Sequence, residues 1–201
     1  MDADTGWASS GQLGGELLHT ADGGATWTRQ FVDPNARFSG VSFVDANTGI
    51  AVGVHNVPQT GLHSATIDGG ATWTTGYSGA HWSYLNNVAF ADSNTAVILG
   101  GNTVGGYAFI IRSIDRGRTW TSASIVGAPV RFLQAVSFGD ANTGTAVSGG
   151  TILRTTDGGA TWRYQTGPPR VSLTAVSFVN ATTGIAVGPR GLILRTETGG
   201  D

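Results

Sequence analysis

One eight-residue pattern, (Ser/Thr)-x-Asp-x-Gly-x-Thr-Trp, occurs four times in this chain, at 20–27, 66–73, 113–120 and 155–162. We call it the box. Its fixed positions are Thr20, Asp22, Gly24 and Trp27; Thr66, Asp68, Gly70 and Trp73; Ser113, Asp115, Gly117 and Trp120; Thr155, Asp157, Gly159 and Trp162. A fifth copy opens at Thr196, carries Thr198 in the Asp position and reaches Asp201 without a Trp. Each residue type suits a tight hairpin. The carboxylate accepts backbone N–H bonds that a turn leaves over, and the hydroxyl closes the turn from the other side. Glycine takes positive φ at low steric cost. Thr-Trp then opens a new strand with a large apolar body to bury.

The box tryptophans stand 46, 47 and 42 residues apart. Spacings of this size indicate propeller blades, four-stranded units that cannot bury their faces alone. The fold class is therefore all-β: a β-propeller of four-stranded blades with a box at each hairpin between the third (C) and fourth (D) strands. In the last two repeats the expected strands are A at 176–178, B at 185–187, C at 192–195 and D from Thr161. Repeat units fall at about 1–36, 37–83, 84–130, 131–170 and 171–201, within one domain. The first lacks strand A and the last lacks strand D. That gives eighteen strands, about four and a half blades, and suggests a fragment of a six- to eight-bladed ring. A five-bladed ring with two incomplete blades, or closure by a second chain, is the other reading.

A second motif precedes the boxes: 176–188, Val-Ser-Phe-Val-Asn-Ala-Thr-Thr-Gly-Ile-Ala-Val-Gly, matches 41–53. The boxes resemble the Asp-box, or bacterial neuraminidase repeat, of sialidases, sortilin-type receptors and xyloglucanases. Together with Ile152-Leu153-Arg154-Thr155 leading into a box, the combination is most similar to the photosystem II stability/assembly-factor family of propellers. The resemblance covers essentially the whole chain. It implies a β-propeller that binds or scaffolds and is not an enzyme. The alternative it implies is a piece of an Asp-box glycoside hydrolase of sialidase or xyloglucanase type. A secreted or periplasmic location is expected from the company this repeat keeps.

Composition narrows the partners. The net charge is −2, which gives no footprint for nucleic acid. No stretch is long and apolar enough to suggest membrane insertion. Without Cys there is no disulfide or thiolate site, and His19, His55, His63 and His81 lack ligand spacing. No metal or cofactor is expected.

The boxes and the A–B turns share one face of a propeller, so the D–A and B–C loops share the other. Loops on a rigid scaffold are where binding residues usually lie. Arg37, His81, Trp82, Tyr84, Arg131, Arg170 and Arg190 are the ligand-binding candidates on that face. Guanidinium and aromatic groups together suit an acidic protein segment or an acidic glycan. Solvated arginines beside packing aromatics are the plainer account of the same residues. Arg112, Arg154 and Arg195 recur just before a box, which points to a structural pairing with a neighbouring turn; docking is the other reading. The catalytic case is thin: only Glu16 and Glu197 are glutamates, most aspartates sit in repeat turns, and Asp33 alone lies in a D–A loop. Open blade edges also leave self-association in play.

Overall fold

The computed structural model describes residues 3–57, 59–77, 84–102, 105–166 and 171–200. It forms five blades. Blade 1 holds β1 (Gly6–Ser9), β2 (Gly15–Thr20) and β3 (Thr28–Asp33); blade 2 holds β4 (Ala36–Phe43), β5 (Gly49–Asn56), β6 (Gln59–Thr66) and β7 (Thr74–Tyr77). Blade 3 holds β8 (Tyr84–Phe90), β9 (Ala96–Gly101), β10 (Ala108–Ser113) and β11 (Thr121–Ser122). After it comes β12 (Ser124–Val126), and then blade 4 with β13 (Ala135–Phe138), β14 (Gly144–Ser148), β15 (Thr151–Thr155) and β16 (Thr161–Tyr164). Blade 5 holds β17 (Ala175–Phe178), β18 (Gly184–Gly188) and β19 (Leu192–Thr196). Successive strands within a blade pair antiparallel, and every box falls between strands C and D, as the repeat predicts.

One strand was not foreseen. The fourth strand of blade 3 breaks after Ser122, and β12 crosses to blade 4, where it runs parallel to β16 with Ile125 opposite Trp162. Blade 4 is thus five-stranded, and the described strands number nineteen where eighteen were expected. The cause is packing. Ile125 lies against the cluster that buries Trp162, Leu153 and Val136, and so draws the segment off its own blade.

The core is a series of seams between blades. In β9, Ala96 and Ile98 face blade 2, while Val97 and Leu99 face blade 4; all four are fully buried. A strand packed on both faces reads as an unbroken apolar run, whereas β19 of blade 5 alternates half-buried and exposed positions. Ala36, Phe38, Leu17 and Leu62 fill the seam of blades 1 and 2, where Trp7 also stacks on Phe43 at 3.6 Å. Ala135, Val147 and Leu173 fill that of blades 4 and 5. The innermost strands are cross-linked by polar side chains as well. Ser39 Oγ donates to the Leu85 carbonyl at 2.6 Å and Asn86 Nδ2 to that of Leu133 at 3.0 Å. Among the described residues no helix is long and apolar enough to cross a membrane.

Candidate functional site

The box turns are built as their residue types require. Thr20, Thr66, Ser113 and Thr155 each donate a hydroxyl bond to the box Asp, at 2.7, 2.8, 2.8 and 2.8 Å. The same oxygens accept the N–H of Gly24, Gly70, Gly117 and Gly159. The Asp in turn accepts the N–H of Thr26, Thr72, Thr119 or Thr161, at 2.8 to 2.9 Å. The indoles of Trp73, Trp120 and Trp162 donate to Gly70, Gly117 and Gly159. The second box glycine has φ between +83° and +95° in all five copies, a region closed to most side chains.

These bonds favour the charged carboxylates. The hydroxyl and then the N–H of the following Thr pull Asp22, Asp68 and Asp115 down to about 2. At Asp157 burial opposes ionisation, but the bonds from Thr161 and Thr155 outweigh it and the pKa is lowered. The A–B turns repeat the device: Asp45, Asp92 and Asp140 each accept two backbone N–H bonds, and Asn180 does so in blade 5. Each box is then bonded to the A–B turn of its own blade, as in Gly69 N–H to Asn47 O at 2.8 Å and Gly158 N–H to Asn142 O at 2.9 Å. The carboxylates of this face are occupied in holding turns.

Two of the arginines before the boxes are ties between blades. Arg112 Nε donates to the Gly158 carbonyl at 2.8 Å, from blade 3 to the box of blade 4. Arg154 reaches the Ala181 carbonyl in the A–B turn of blade 5, bonds Thr145 Oγ1 at 3.0 Å and lies 5.4 Å from the Phe178 ring centroid. Arg195 has no such reach and pairs with exposed Glu197 at 2.6 Å. Two glutamines do similar work. Gln30 Nε2 donates to Gly69 O at 3.1 Å and Gln165 Nε2 to Gly199 O at 3.3 Å. Each stands three residues after its box Trp, a spacing legible in the sequence only once the repeats are aligned.

On the opposite face Tyr84 and Arg131 come together through Phe132, while Arg37 and Arg190 stand apart on other blades. Tyr84 opens β8, and its ring lies 6.5 Å from that of Phe132, next in sequence to exposed Arg131. Gly101 makes room for that tyrosine, since a Cβ there would collide with its hydroxyl. Arg37 belongs with blade 2. It is the second residue of β4 rather than part of a loop, because the D–A connection shrinks to Pro34 and Asn35. Its neighbour Phe38 is core. Likewise Asp33 closes β3 instead of lying in a loop, and its carboxylate stands 3.9 Å from His55 Nε2, with the Tyr77 ring 5.3 Å beyond. The sequence placed Asp33 and His55 on this face without joining them. Arg190 sits in the turn between β18 and β19 at φ +60°. Arg37, Arg131 and Arg190 are exposed, and their side chains have no ion pair or hydrogen bond among the described residues. His81, Trp82 and Arg170 lie outside the described residues. No cluster of His, Asp and Glu suited to a metal ion occurs among the described residues.

No protein-family model matches this chain, and no curated protein matches it. Solved structures do. A structure of YCF48 bound to a D1 peptide matches at 19% identity and TM-score 0.61, covering 96% of this chain and 64% of that one. YCF48 from Cyanidioschyzon merolae matches at 18% identity and TM-score 0.63, over 96% of this chain and 66% of its own. The WD40 β-propeller domain of Doa1 matches at 13% identity and TM-score 0.61, over 96% and 62%. This chain thus spans just under two-thirds of the length of these three. At such identities the likeness is one of architecture, and with the repeated antiparallel blades it makes the chain a β-propeller.

Proposed function

We propose that this chain is a non-enzymatic binding or scaffold propeller of Asp-box type. It recognises an acidic protein segment, or an acidic glycan, on the face of its D–A and B–C loops. The observation that carries the reading is the division of charge. The box and A–B turn aspartates are occupied by turns and Arg112 and Arg154 by seams, while the side chains of Arg37, Arg131 and Arg190 are exposed and unpaired among the described residues on the other face. On the box face Arg118 is likewise exposed and unpaired among the described residues. Guanidinium groups free of internal partners can pair with carboxylate, phosphate or sulfate, and the Tyr84–Phe132 rings offer an apolar platform beside Arg131. The YCF48 structure with a bound D1 peptide supports a protein over a glycan.

The glycoside-hydrolase reading fares less well. Glu16 pairs with Arg29 at 2.8 Å, Glu197 with Arg195, and the box aspartates are held ionised by their turns. Asp33 beside His55 is a single carboxylate where that chemistry takes two. Self-association belongs to the proposal too, since Val179, Ile185 and Ile193 leave blade 5 with exposed apolar groups. Titration of the chain with polyglutamate and with a sulfated glycan tests the reading. Salt-sensitive binding that Arg37→Glu with Arg131→Glu removes is expected; binding indifferent to both would overturn it.

A further inference from the structure

The seam between blades 2 and 3 differs from its neighbours on both of its walls. Other blades place an apolar residue three positions before the box (Leu17, Ile110, Ile152), but blade 2 places His63. One position before the box, Ala65 stands where Arg112 and Arg154 make their ties; three after the Trp, Gly76 stands where Gln30 and Gln165 make theirs. His63 pairs across the strands with Gly76, and Ala65 with Thr74, so these four form one patch. The facing box alone carries arginines at two turn positions. Arg116 replaces Gly23, Gly69 and Gly158, and Arg118 replaces Ala25, Ala71 and Ala160. Arg116 holds φ +64°, a left-handed conformation that glycine adopts freely and a β-carbon disfavours.

These substitutions leave a cavity of about 370 Å³ lined by His63, Ala65, Thr74, Gly76, Arg116 and Arg118, among others, with no carboxylate in its lining. Arg116 Nε is held by Asn94 Oδ1 at 3.0 Å, and its charge also reaches Asp45. Arg118 is exposed with no such partner among the described residues. His63 packs edge-on against Trp120 at 5.9 Å. Two guanidinium groups beside a space with no Asp or Glu in its lining suit a carboxylate ligand. Strand β7, which supplies Thr74 and Gly76, is the outermost described strand of blade 2, so its far edge meets no other strand among the described residues. The equivalent strand of blade 4 shows what such an edge receives. There β12 adds in parallel, with Ile125 directed toward blade 3, into the seam of blades 3 and 4.

We propose that the cavity between blades 2 and 3 is a carboxylate site, filled by an acidic side chain of an extended polypeptide that adds alongside β7. This goes beyond the loop-face reading and uses none of its residues. Strand addition supplies backbone bonds, and alternate side chains of the added strand point to the seam.

The test uses the 201-residue chain and an acetyl-capped peptide of alternating valine and threonine with one central glutamate. A glutamine counterpart and sodium acetate are the controls, with binding read by NMR titration. Two variants borrow residues from the chain's own repeats and so are compatible with the fold. H63I/A65R copies Ile152 and Arg154, and R116G/R118A copies Gly69 and Ala71. The glutamate peptide is expected to bind about tenfold more tightly than the glutamine peptide, and each double variant to lose that margin with a melting temperature no lower than the parent's. Amides of β7 are expected to shift. Equal binding of the two peptides, binding unaffected by H63I/A65R, or a peptide no tighter than acetate would each overturn the proposal. So would the absence of binding at millimolar peptide.

Discussion

Arg112 Nε lies 2.8 Å from the carbonyl oxygen of Gly158, tying strand C of blade 3 to the box turn of blade 4. The partners are separated by 46 residues, so the bond holds only when two blades are docked. Arg112→Ala is expected to cost about 1–2 kcal/mol, because a part-buried charge-assisted bond is lost. Arg195, at the equivalent position, pairs only with exposed Glu197. Arg195→Ala is expected to change stability by less than about 0.5 kcal/mol. Urea melts of the two variants check the contrast, and equal losses would contradict it.

The box carboxylate is a turn element, so its removal acts on stability before anything else. In Asp157→Ala the hydroxyl of Thr155 and the N–H of Thr161 lose their acceptor. A loss of about 1–3 kcal/mol is expected, with little effect on any ligand of the loop face. An unchanged denaturation midpoint would show that the carboxylate does nothing for the turn.

Acid is expected to unfold the chain in a defined window. Asp22, Asp68 and Asp115 have folded-state values of about 2 against an ordinary 3.8. A depressed carboxylate means that the unfolded chain takes up protons first as pH falls. Its contribution is complete above about 3.8 and is lost as pH drops through about 2. The cause at each is mainly hydrogen bonding from Thr26, Thr72 or Thr119, so added salt should move this window little. Urea midpoints measured from about pH 5 to about pH 2 check it; a flat profile would count against it.

Charge reversal at Arg37, Arg131 and Arg190 should leave the fold untouched, since their guanidiniums are exposed and unpaired among the described residues. Each variant is expected to melt within about 0.5 kcal/mol of the parent. A larger loss in calorimetry would mean that these residues serve packing, and the loop-face proposal would lose its basis.

Much of this architecture is local and could be read from one repeat. The box closes on itself within eight residues, so Thr155, Asp157 and Gly159 specify their turn whatever surrounds it. Strand D was expected to begin at the box Thr-Trp; it does so in β16 (161–164), but β3, β7 and β11 begin one residue after the Trp, at Thr28, Thr74 and Thr121. The loop-face site was less legible. Arg37 and Asp33 fell in strands because a two-residue connection leaves no room for a loop, and the Asp33–His55 approach joins two different blades.

The sequence by itself determined the blade: hairpin turns, strand order and apolar runs, all set by interactions between near neighbours in the chain. Tertiary structure decided what each repeated residue does. Trp162 is fully buried between blades 3 and 4, whereas Trp27, in the same octapeptide, is 44% exposed with no described blade against it. Arg112 and Arg195 share a repeat position, yet one is a tie and the other a surface ion pair. The β12 segment joined blade 4 because a seam there had room for Ile125. Burial and pairing across a seam depend on residues some forty positions away, and an eight-residue motif carries no information about them.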